Sequence, residues 1–246
     1  MAVELLNTEK TGVQPITVVL PSTKNESLHL YREETVEESL QRKSSQLAAK
    51  RLFDVVVSSL LILFFSPVLI LVALIIKLTS KGAILYSNER VGYRDNNFRC
   101  YKFRSMVTDQ SVKATDYAIA LEGQEKGILH KIKNDSRITW IGKIIRKTSI
   151  DELPQLFNVL KGDMSIIGPR PLVPFMLAHL PEFKQTRCLV RPGITGLWQI
   201  RDRVNNTSAE FMIEHDTEYI KNYNLLLDLK ILAKTPIVVL TGEGAY

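Results

Sequence analysis

Hydrophobic positions are concentrated in one uninterrupted stretch of the chain. From Val55 to Ile76 no residue carries a charge for 22 positions. As a straight helix these residues would extend roughly 33 Å, which matches the hydrocarbon core of a bilayer. The pattern therefore predicts a membrane-embedded helix.

Ser66 and Pro67 stand at the midpoint of this stretch. Proline removes one backbone hydrogen bond and clashes with the preceding turn, so the helix is predicted to bend there. A neighbouring serine hydroxyl can bind a backbone group that the bend leaves without a partner, since lipid offers none. We therefore predict a helix-break-helix over residues 46–81, with Ser66 and Pro67 forming the membrane bend.

The charges that flank the stretch bear on its course through the bilayer. Lys50 and Arg51 precede it, and Lys77 and Lys81 follow it. Because positive residues mark the cytoplasmic side, basic residues at both ends favour a re-entrant helix that returns to the side from which it entered. Asp54 is then expected at the interface, close to Lys50 and Arg51. A single transmembrane span is the alternative, which length alone supports equally.

The residues before and after this stretch are more polar. Residues 1–45 mix charged and hydroxyl side chains with few aromatics, which predicts a flexible polar tail. Within it, residues from about 34 onward can become helical and lead into the apolar stretch. Residues 82–246 provide enough chain for a globular domain with its own core.

The first part of this domain predicts a small β-hairpin. Residues 84–86 and 98–106 have strand-like patterns and are separated by a turn rich in Gly, Asp and Asn. In the second segment, alternation places Lys102 and Arg104 on one face and Arg99 on the other. Cationic side chains on both faces are unusual for a half-buried strand. The hairpin is either a solvated basic surface or a phosphate-binding lip.

The remaining patterns are mostly helical. Residues 134–163 predict two short helices, the second of which stops at Lys161 and Gly162. Residues 191–200 predict a loop punctuated by Gly and Pro. Residues 211–240 predict an amphipathic helix followed by a strongly apolar one, and these either lie along a bilayer surface or pack in the core. The predicted fold class is mainly α with a small β-hairpin.

Composition narrows the partners. The net charge of +6 and the sequence pI near 9.2 favour an anionic partner, such as nucleic acid, phospholipid headgroups or phosphorylated small molecules. Basic residues are interspersed with acids and no nucleic-acid-binding module is present, so nucleic acid is not expected. Cys100 and Cys188 are isolated and the four histidines lack metal-binding spacing. A disulfide framework and a zinc site are therefore not expected, and a reducing, cytosolic environment is favoured.

Two adjacent carboxylates, Asp151 and Glu152, have a simple structural explanation. Ser149 and Glu152 have the spacing of a capping box, and Pro154 is tolerated only in the first turn of a helix. Acidic residues are also favourable at the positive end of a helix. On this interpretation the acids begin a helix near residues 149–151 and need no further function.

The surrounding cations support a chemical explanation of the same pair. Arg146 lies one turn upstream, and Arg170 returns between two prolines after Gly168. Carboxylates can hold a divalent ion together with substrate phosphates, while arginines neutralise phosphate charge. Aspartate can also attack phosphorus and hold a phosphoryl-type group covalently.

Four segments in order resemble the bacterial sugar transferase family, the monotopic phosphoglycosyltransferases that act on polyprenyl phosphate. They are "KRLFDVVVSSLLILFFSPVLILVALIIKL", "KFRSM", "RKTSIDELPQLFNVLKGDMSIIGPRPLVP" and "RPGITGLWQI". The resemblance covers the chain from about residue 50 to its end. It implies transfer of a phospho-sugar from a UDP-sugar to undecaprenyl phosphate, with release of UMP and a requirement for Mg²⁺.

The resemblance also implies roles for individual residues. Asp151 would be the nucleophile that captures the phospho-sugar, and Glu152 would support the metal or help activate the lipid phosphate; the two would hold Mg²⁺ together. Residues 82–246 would be the catalytic domain, on the cytoplasmic face of the inner membrane with interfacial amphipathic helices. Partners would be the bilayer and other polysaccharide-assembly enzymes. The implied phosphate-binding residues are Lys102, Arg104, Arg146 and Arg170.

The chain departs from the family pattern at two places. After "RPGITGLWQI" it has Arg201, Asp202 and Arg203, where Ser-Gly-Arg is common, so sugar or nucleotide contacts from that loop are not assumed. Trp140 stands where a basic residue is common. The alternative to a transferase is a non-catalytic membrane-surface scaffold that uses basic patches and amphipathic helices to recruit partners.

Overall fold

The computed structural model describes residues 35–107, 135, 137–178, 180–201 and 210–241. Helix predominates and the strands are short, so the predicted fold class is confirmed in its mainly helical character and its small hairpin. The helices are α1 (Val36–Arg42), α2 (Ser44–Thr79), α3 (Trp140–Lys147), α4 (Gln155–Lys161), α5 (Pro174–Leu177), α6 (Pro181–Arg187), α7 (Leu197–Arg201), α8 (Glu210–Lys221) and α9 (Leu225–Thr241). The strands are β1 (Leu85–Val91), β2 (Asn97–Phe103), β3 (Ser165–Ile167) and β4 (Gly193–Thr195).

Helix α2 is the 36-residue element that the apolar stretch predicts, and it continues through Pro67 without a break. Proline 67 cannot donate to the carbonyl of Leu63, four residues earlier, and the Ser66 hydroxyl donates to that same oxygen at 2.8 Å. Among the described residues this helix alone is long and apolar enough to cross a membrane. Its midsection exposes large side chains, with Leu63 72% and Phe64 74% accessible. The predicted re-entrant course stays a prediction.

The first turns of α2 are fixed to the globular domain by buried polar groups. The Lys50 ammonium lies 2.8 Å from an oxygen of Asp228, whose other oxygen accepts from the Tyr219 hydroxyl at 2.8 Å. A carboxylate oxygen of Asp54 accepts from the hydroxyl of Ser165 and from the backbone N–H of Ile166, each at 3.0 Å. We call these five side chains the docking cluster: Lys50, Asp54, Ser165, Tyr219 and Asp228.

Asp54 is therefore buried in the protein, and its expected place at the level of the lipid interface stays a prediction. Only 1% of Asp54 is accessible, and its partners come from β3 rather than from Lys50 or Arg51. The guanidinium of Arg51 instead donates to the carbonyls of Val159 and Leu160, at 2.6 and 2.9 Å. The C-terminal carbonyls of α4 are thereby satisfied by a side chain of α2.

The other end of α2 also contacts the globular domain. Arg104, just after β2, donates to the carbonyls of Ile76 and Ser80, at 3.2 and 2.9 Å. Val72 and Ile76 pack in one apolar cluster with Phe103 and two isoleucines of α3. Both ends of the apolar helix thus meet the same folded unit.

The sequence predicted one of the two strand pairs and missed the other. The predicted hairpin is confirmed as β1 and β2, which pair antiparallel with Leu85 opposite Phe103 and Val91 opposite Asn97. The pair of β3 and β4 is parallel and was missed, because three residues are too few for alternation to show. It lies in the main core between α4, α8 and α9, with Ile166 and Ile167 buried.

The structure also bears on the predicted N-terminal tail and on the two predicted helices near the C-terminus. Residues 35–43 of the predicted polar tail include α1, whose Leu40 is buried in the main core, while residues 1–34 lie outside the described part. Near the C-terminus, α8 is a core helix with Tyr219 and Ile220 buried. Helix α9 buries Ile231 and exposes Leu226 at 61%, so it has both a core face and an apolar exposed face.

Candidate functional site

Asp151 and Glu152 lie in a tight turn rather than in a capped α-helix. A 3₁₀ turn spans Ile150–Glu152, and α4 begins only at Gln155, after Pro154. Ser149 has a left-handed backbone (φ 57°) and its side chain makes no capping hydrogen bond. The predicted capping box is therefore wrong, because the Glu152 side chain binds cations from distant segments instead.

Glu152 is the centre of an ion-pair group. One of its carboxylate oxygens lies 2.6 Å from the Lys102 ammonium and 3.0 Å from the Arg170 guanidinium. Burial alone would raise the pKa of Glu152, but Arg170 and Lys102 outweigh burial and hold that pKa below its usual range. Glu152 is therefore ionised at neutral pH, and the structure brings together three of the predicted site residues.

Asp151 is in a different electrostatic state from its neighbour. It is 8% accessible, and burial, followed by the negative charge of Glu152, raises its pKa to about 6. Lys102, Arg146 and Arg170 oppose this rise and keep it moderate. Asp151 is thus a buried carboxylate that is mostly ionised at neutral pH yet more basic than an ordinary aspartate, which suits a nucleophile.

The loop that carries Arg170 is held by backbone contacts with the 191–196 segment. The Gly168 N–H donates to the Thr195 carbonyl at 2.9 Å, and the Gly193 N–H donates to the Pro169 carbonyl at 2.8 Å. A Cβ on Gly193 would lie 2.1 Å from the Gly168 nitrogen, so the two loops can approach this closely only with glycine there. These backbone contacts hold the loop in the position that places the Arg170 guanidinium beside Glu152.

The other predicted phosphate-binding residues have different positions. Arg146 lies near Ser105, with 3.5 Å between its guanidinium and the hydroxyl, and its charge acts on Asp151. Arg104 is not in the group around Glu152; it is 5% accessible and binds the end of α2. Arg104 lies just beyond the last residue of β2, and its guanidinium binds backbone carbonyls at the C-terminal end of α2. The phosphate-binding roles themselves stay predictions.

Two residues next to the site were missed in the sequence. The Arg90 guanidinium donates to the carbonyl of Pro171, adjacent to Arg170, at 3.1 Å. Arg90 shares a hairpin face with Lys102, but this follows from the pairing of the two strands and no pattern within one strand shows it. Asn158 is fully buried, and its amide accepts from the Tyr101 N–H and donates to the Arg99 carbonyl. It fixes α4 to β2, and no local sequence pattern marks it.

Two of the residues at which the sequence departs from the family pattern, Trp140 and Arg201, lie in the described part of the chain. Trp140 begins α3 and is 58% accessible. Arg201 ends α7 and pairs with Glu218, while Asp202 and Arg203 lie outside the described residues.

The carboxylates present fit a magnesium ion that shares substrate phosphates. Within the described ranges no group of three His, Cys, Asp or Glu side chains could enclose a metal by itself. Magnesium in phosphoryl-transfer sites commonly uses one or two carboxylates and takes its other ligands from phosphate and water. Asp151 and the second oxygen of Glu152 are such donors, because Lys102 and Arg170 both bind the first oxygen.

Comparison with known proteins gives one consistent family. The profile described as "Bacterial sugar transferase" matches residues 45–242. An uncharacterized sugar transferase of Haemophilus influenzae is 44% identical over 207 residues, which is 83% of this chain and 43% of that protein. The undecaprenyl-phosphate galactose phosphotransferase of Salmonella typhimurium is 43% identical over 217 residues, or 86% of this chain and 44% of that protein.

A shorter relative is matched over most of its own length. The exopolysaccharide production protein ExoY of Rhizobium meliloti is 38% identical over 200 residues, which is 80% of this chain and 88% of that protein. By contrast, the chain spans less than half the length of the two relatives above. The part of the chain that matches the family profile, residues 45–242, includes all but the first residue of α2 and the group around Glu152.

Proposed function

Because the chain belongs to the bacterial sugar transferase family, we propose that it is a phosphoglycosyltransferase. It moves a phospho-sugar from a UDP-sugar to undecaprenyl phosphate, releases UMP, and so begins the synthesis of a polysaccharide. Relatives named as undecaprenyl-phosphate galactose phosphotransferase and UDP-galactose-lipid carrier transferase support this substrate class. The sugar is left open, because the relatives' names include galactose, glucose and N-acetylgalactosamine.

One observation carries the proposal: a buried carboxylate with a raised pKa, Asp151, adjoins a second carboxylate that two cations already neutralise. In the first step an oxygen of Asp151 bonds to the phosphorus that bears the sugar, and the bond from that phosphorus to UMP breaks. In the second step an oxygen of undecaprenyl phosphate attacks the same phosphorus and releases Asp151. Each step is a substitution at phosphorus, and the carboxylate is regenerated.

The neighbouring groups lower the charge repulsion in both steps. Lys102 and Arg170 already bind Glu152, so they are fixed beside Asp151 before substrate arrives, and they can stabilise phosphate oxygens without reorganising. Arg146 adds positive charge near the same carboxylate. Asp151 and Glu152 would hold Mg²⁺, which when bound would supply further charge neutralisation on the phosphates.

The membrane part of the proposal is a re-entrant α2 with the catalytic domain on the cytoplasmic face of the inner membrane. Asp54 and Ile76 both contact the globular domain, yet a straight helix between them would measure about 33 Å. That distance would carry one end across the bilayer, away from the domain. A bend at Pro67 instead lets both ends remain on one side, and it would put the apex about one leaflet deep.

Accessibility labelling tests this course. Single substitutions Ser45→Cys and Leu85→Cys, in intact vesicles of known orientation, are expected to react from the same side with a membrane-impermeant thiol reagent. The native Cys100 and Cys188 are buried and provide the background measurement. Labelling from opposite sides would establish a true span and contradict the re-entrant course.

The activity is tested with purified protein, undecaprenyl phosphate, Mg²⁺ and a panel of UDP-sugars. We expect UMP release with at least one donor, and an intact-mass increase equal to one phospho-sugar when the acceptor is omitted. Asp151→Asn is expected to abolish both signals, with activity reduced by about a thousandfold or more. Glu182→Gln, which removes an exposed carboxylate on α6, is the matched control and should behave as wild type.

Two results would contradict the proposal in different ways. Turnover without any adduct in the wild type, or full turnover by Asp151→Asn, would remove Asp151 as the nucleophile. Absence of turnover with every donor, in protein that is folded and lipid-bound, would favour the non-catalytic scaffold instead.

A further inference from the structure

The charges around Glu152 do not balance when Arg90 is included. Lys102, Arg146, Arg170 and Arg90 provide four positive charges, whereas Asp151 and Glu152 provide at most two negative ones. Lys102 and Arg170 share one oxygen of Glu152, so that carboxylate is already committed. Among the described residues Arg90 has no ion pair with a carboxylate, although the charge of Glu152 acts on it from a distance.

The immediate contacts of Arg90 show the same deficit. One guanidinium nitrogen donates to the Pro171 carbonyl at 3.1 Å, while the buried Nε has no hydrogen-bond partner among the described residues. In the part of the chain that the structure describes, no carboxylate forms an ion pair with Arg90. The contact with Pro171 brings Arg90 next to the loop of Arg170; burial, and next the like charge of Arg170, lower the pKa of Arg90, while the charge of Glu152 opposes this.

A partly buried guanidinium without a counterion lowers the stability of the folded protein unless a ligand supplies the missing negative charge. Removing a charge from water is compensated only by a paired opposite charge and by hydrogen bonds to the remaining donors. A phosphate group supplies both, because its oxygens accept paired hydrogen bonds from an arginine fork. The contact with Pro171 holds the arginine in place without neutralising it.

The register of the hairpin separates Arg90 from Lys102 along the strand direction. Lys102 is opposite Tyr86, and Arg90 is opposite Phe98, on the same face of the pair. Four residues of strand separate Tyr86 from Arg90, or about 13 Å. Arg104, two residues after Lys102, binds the end of the membrane helix. Lys102 is therefore on the membrane side of the site, and the backbone of Arg90 lies farther from it.

We propose that Arg90 binds a phosphate of the water-soluble nucleotide donor, and that it does not bind the phosphate of the lipid acceptor. The inference rests on the proposed function, since it assigns one residue to one of that reaction's two anionic substrates. The acceptor phosphate is tethered to a membrane-embedded chain and approaches from the side of α2 and Lys102. The donor arrives from water and is free to reach Arg90, a partly buried guanidinium that forms no ion pair with a described carboxylate.

Steady-state kinetics with each substrate varied in turn test the assignment. Arg90→Met removes the charge and keeps an apolar side chain that can pack, and Arg90→Lys keeps the charge without the fork. We expect Arg90→Met to raise the KM for the UDP-sugar about tenfold or more, with the KM for undecaprenyl phosphate unchanged. Arg90→Lys should raise the donor KM by a smaller factor. UDP alone, titrated without acceptor, should bind Arg90→Met more weakly by a similar factor.

The matched control is Arg99→Met, because Arg99 is an exposed arginine on the opposite face of the same hairpin. It should leave both KM values unchanged. Melting temperature without substrate is a second readout: loss of an uncompensated charge should leave it unchanged or raise it, whereas a purely structural arginine should lower it when replaced.

The outcomes separate this inference from the proposed function. A wild-type protein that shows no turnover and binds no UDP fails the proposed function itself. An active wild type combined with an unchanged donor KM in Arg90→Met would overturn the role of Arg90. Equal rises in both KM values, or a rise for the acceptor alone, would overturn the assignment to the donor.

Discussion

The docking cluster is buried and the group around Glu152 is largely half-buried; both are charged, but they differ in how completely their members are paired. In the docking cluster each oxygen of Asp228 has its own donor, and Lys50 has a carboxylate partner. Around Glu152, two cations share a single oxygen, and the Nε of Arg90 has no hydrogen-bond partner in the part of the chain that the structure describes. In the docking cluster each named polar group has a partner within the protein, whereas around Glu152 the cations outnumber the carboxylates.

This difference separates a structural role from a chemical one better than charge or burial does. Both clusters contain buried acids and both join segments that are far apart in the sequence. A complete cluster stabilises the fold and has no capacity left for a ligand. An incomplete cluster keeps its charges available at some expense in stability, which is the usual state of a reactive site.

The largest expected contrast is between two aspartate-to-asparagine changes. Asp228→Asn should lower the free energy of unfolding by about 3 kcal/mol or more, because it leaves the buried Lys50 ammonium without a counterion. Asp151→Asn should not lower it, because burial already disfavours the ionised Asp151 in the folded state. Denaturation in detergent at pH 7.5 measures both.

A double variant checks the reason for that contrast. Lys50→Met with Asp228→Leu removes both charges of the pair and should recover most of the stability lost in Asp228→Asn. If Asp151→Asn proved as destabilising as Asp228→Asn, the two clusters would not differ as described.

The pH dependence of activity gives an effect of intermediate size. The pKa of Asp151 is about 6, so kcat/KM should fall as the pH drops below about 6 and the carboxylate gains a proton. Glu152→Gln removes the negative neighbour that raises this pKa, so the acid limb should move to lower pH. Lys102→Met removes a cation that lowers it, so the limb should move to higher pH.

Each of these shifts is expected to be roughly one pH unit. Lys143→Met, which removes an exposed cation of α3, is the control and should leave the limb in place. Shifts in the same direction for Glu152→Gln and Lys102→Met would show that Asp151 is not the group being titrated.

The smallest expected effect concerns the contact between α2 and α4. Arg51→Lys keeps the charge but cannot reach the Val159 and Leu160 carbonyls together, so it should cost about 1 kcal/mol of stability. Activity per folded molecule should be unchanged. A large loss of activity in protein that remains folded would mean that the docking side of α2 also shapes the reactive group.

Local patterns predicted the elements whose signals are themselves local. The 22 uncharged residues from Val55 gave α2, and alternation around Lys102 gave the hairpin. The same reasoning failed for Glu152, because its capping-box spacing is local whereas its partner Lys102 is 50 residues away. A local preference worth about 1 kcal/mol was outweighed by two buried ion pairs.

The other differences between the predicted and the observed site arise because side-chain alternation along one strand does not show where the strand ends or how it pairs. Lys102 and Arg104 share a predicted face, but β2 ends at Phe103 and the Arg104 side chain binds the end of α2. Arg90 shares a face with Lys102 only once the register of the hairpin is known, and register depends on pairing rather than on one strand. The three-residue strands β3 and β4 likewise exist only through their pairing, which neither sequence segment shows by itself.

The docking cluster has a consequence for the order of events during biosynthesis. Ser165 follows Asp54 by 111 positions and Asp228 follows Lys50 by 178, so α2 leaves the ribosome long before its polar partners exist. Until then Lys50 and Asp54 must stay hydrated while the apolar residues after them enter the lipid. A nascent chain stopped before residue 228 would therefore hold an inserted helix with an unneutralised lysine at its base, a state suited to recognition by quality-control proteases.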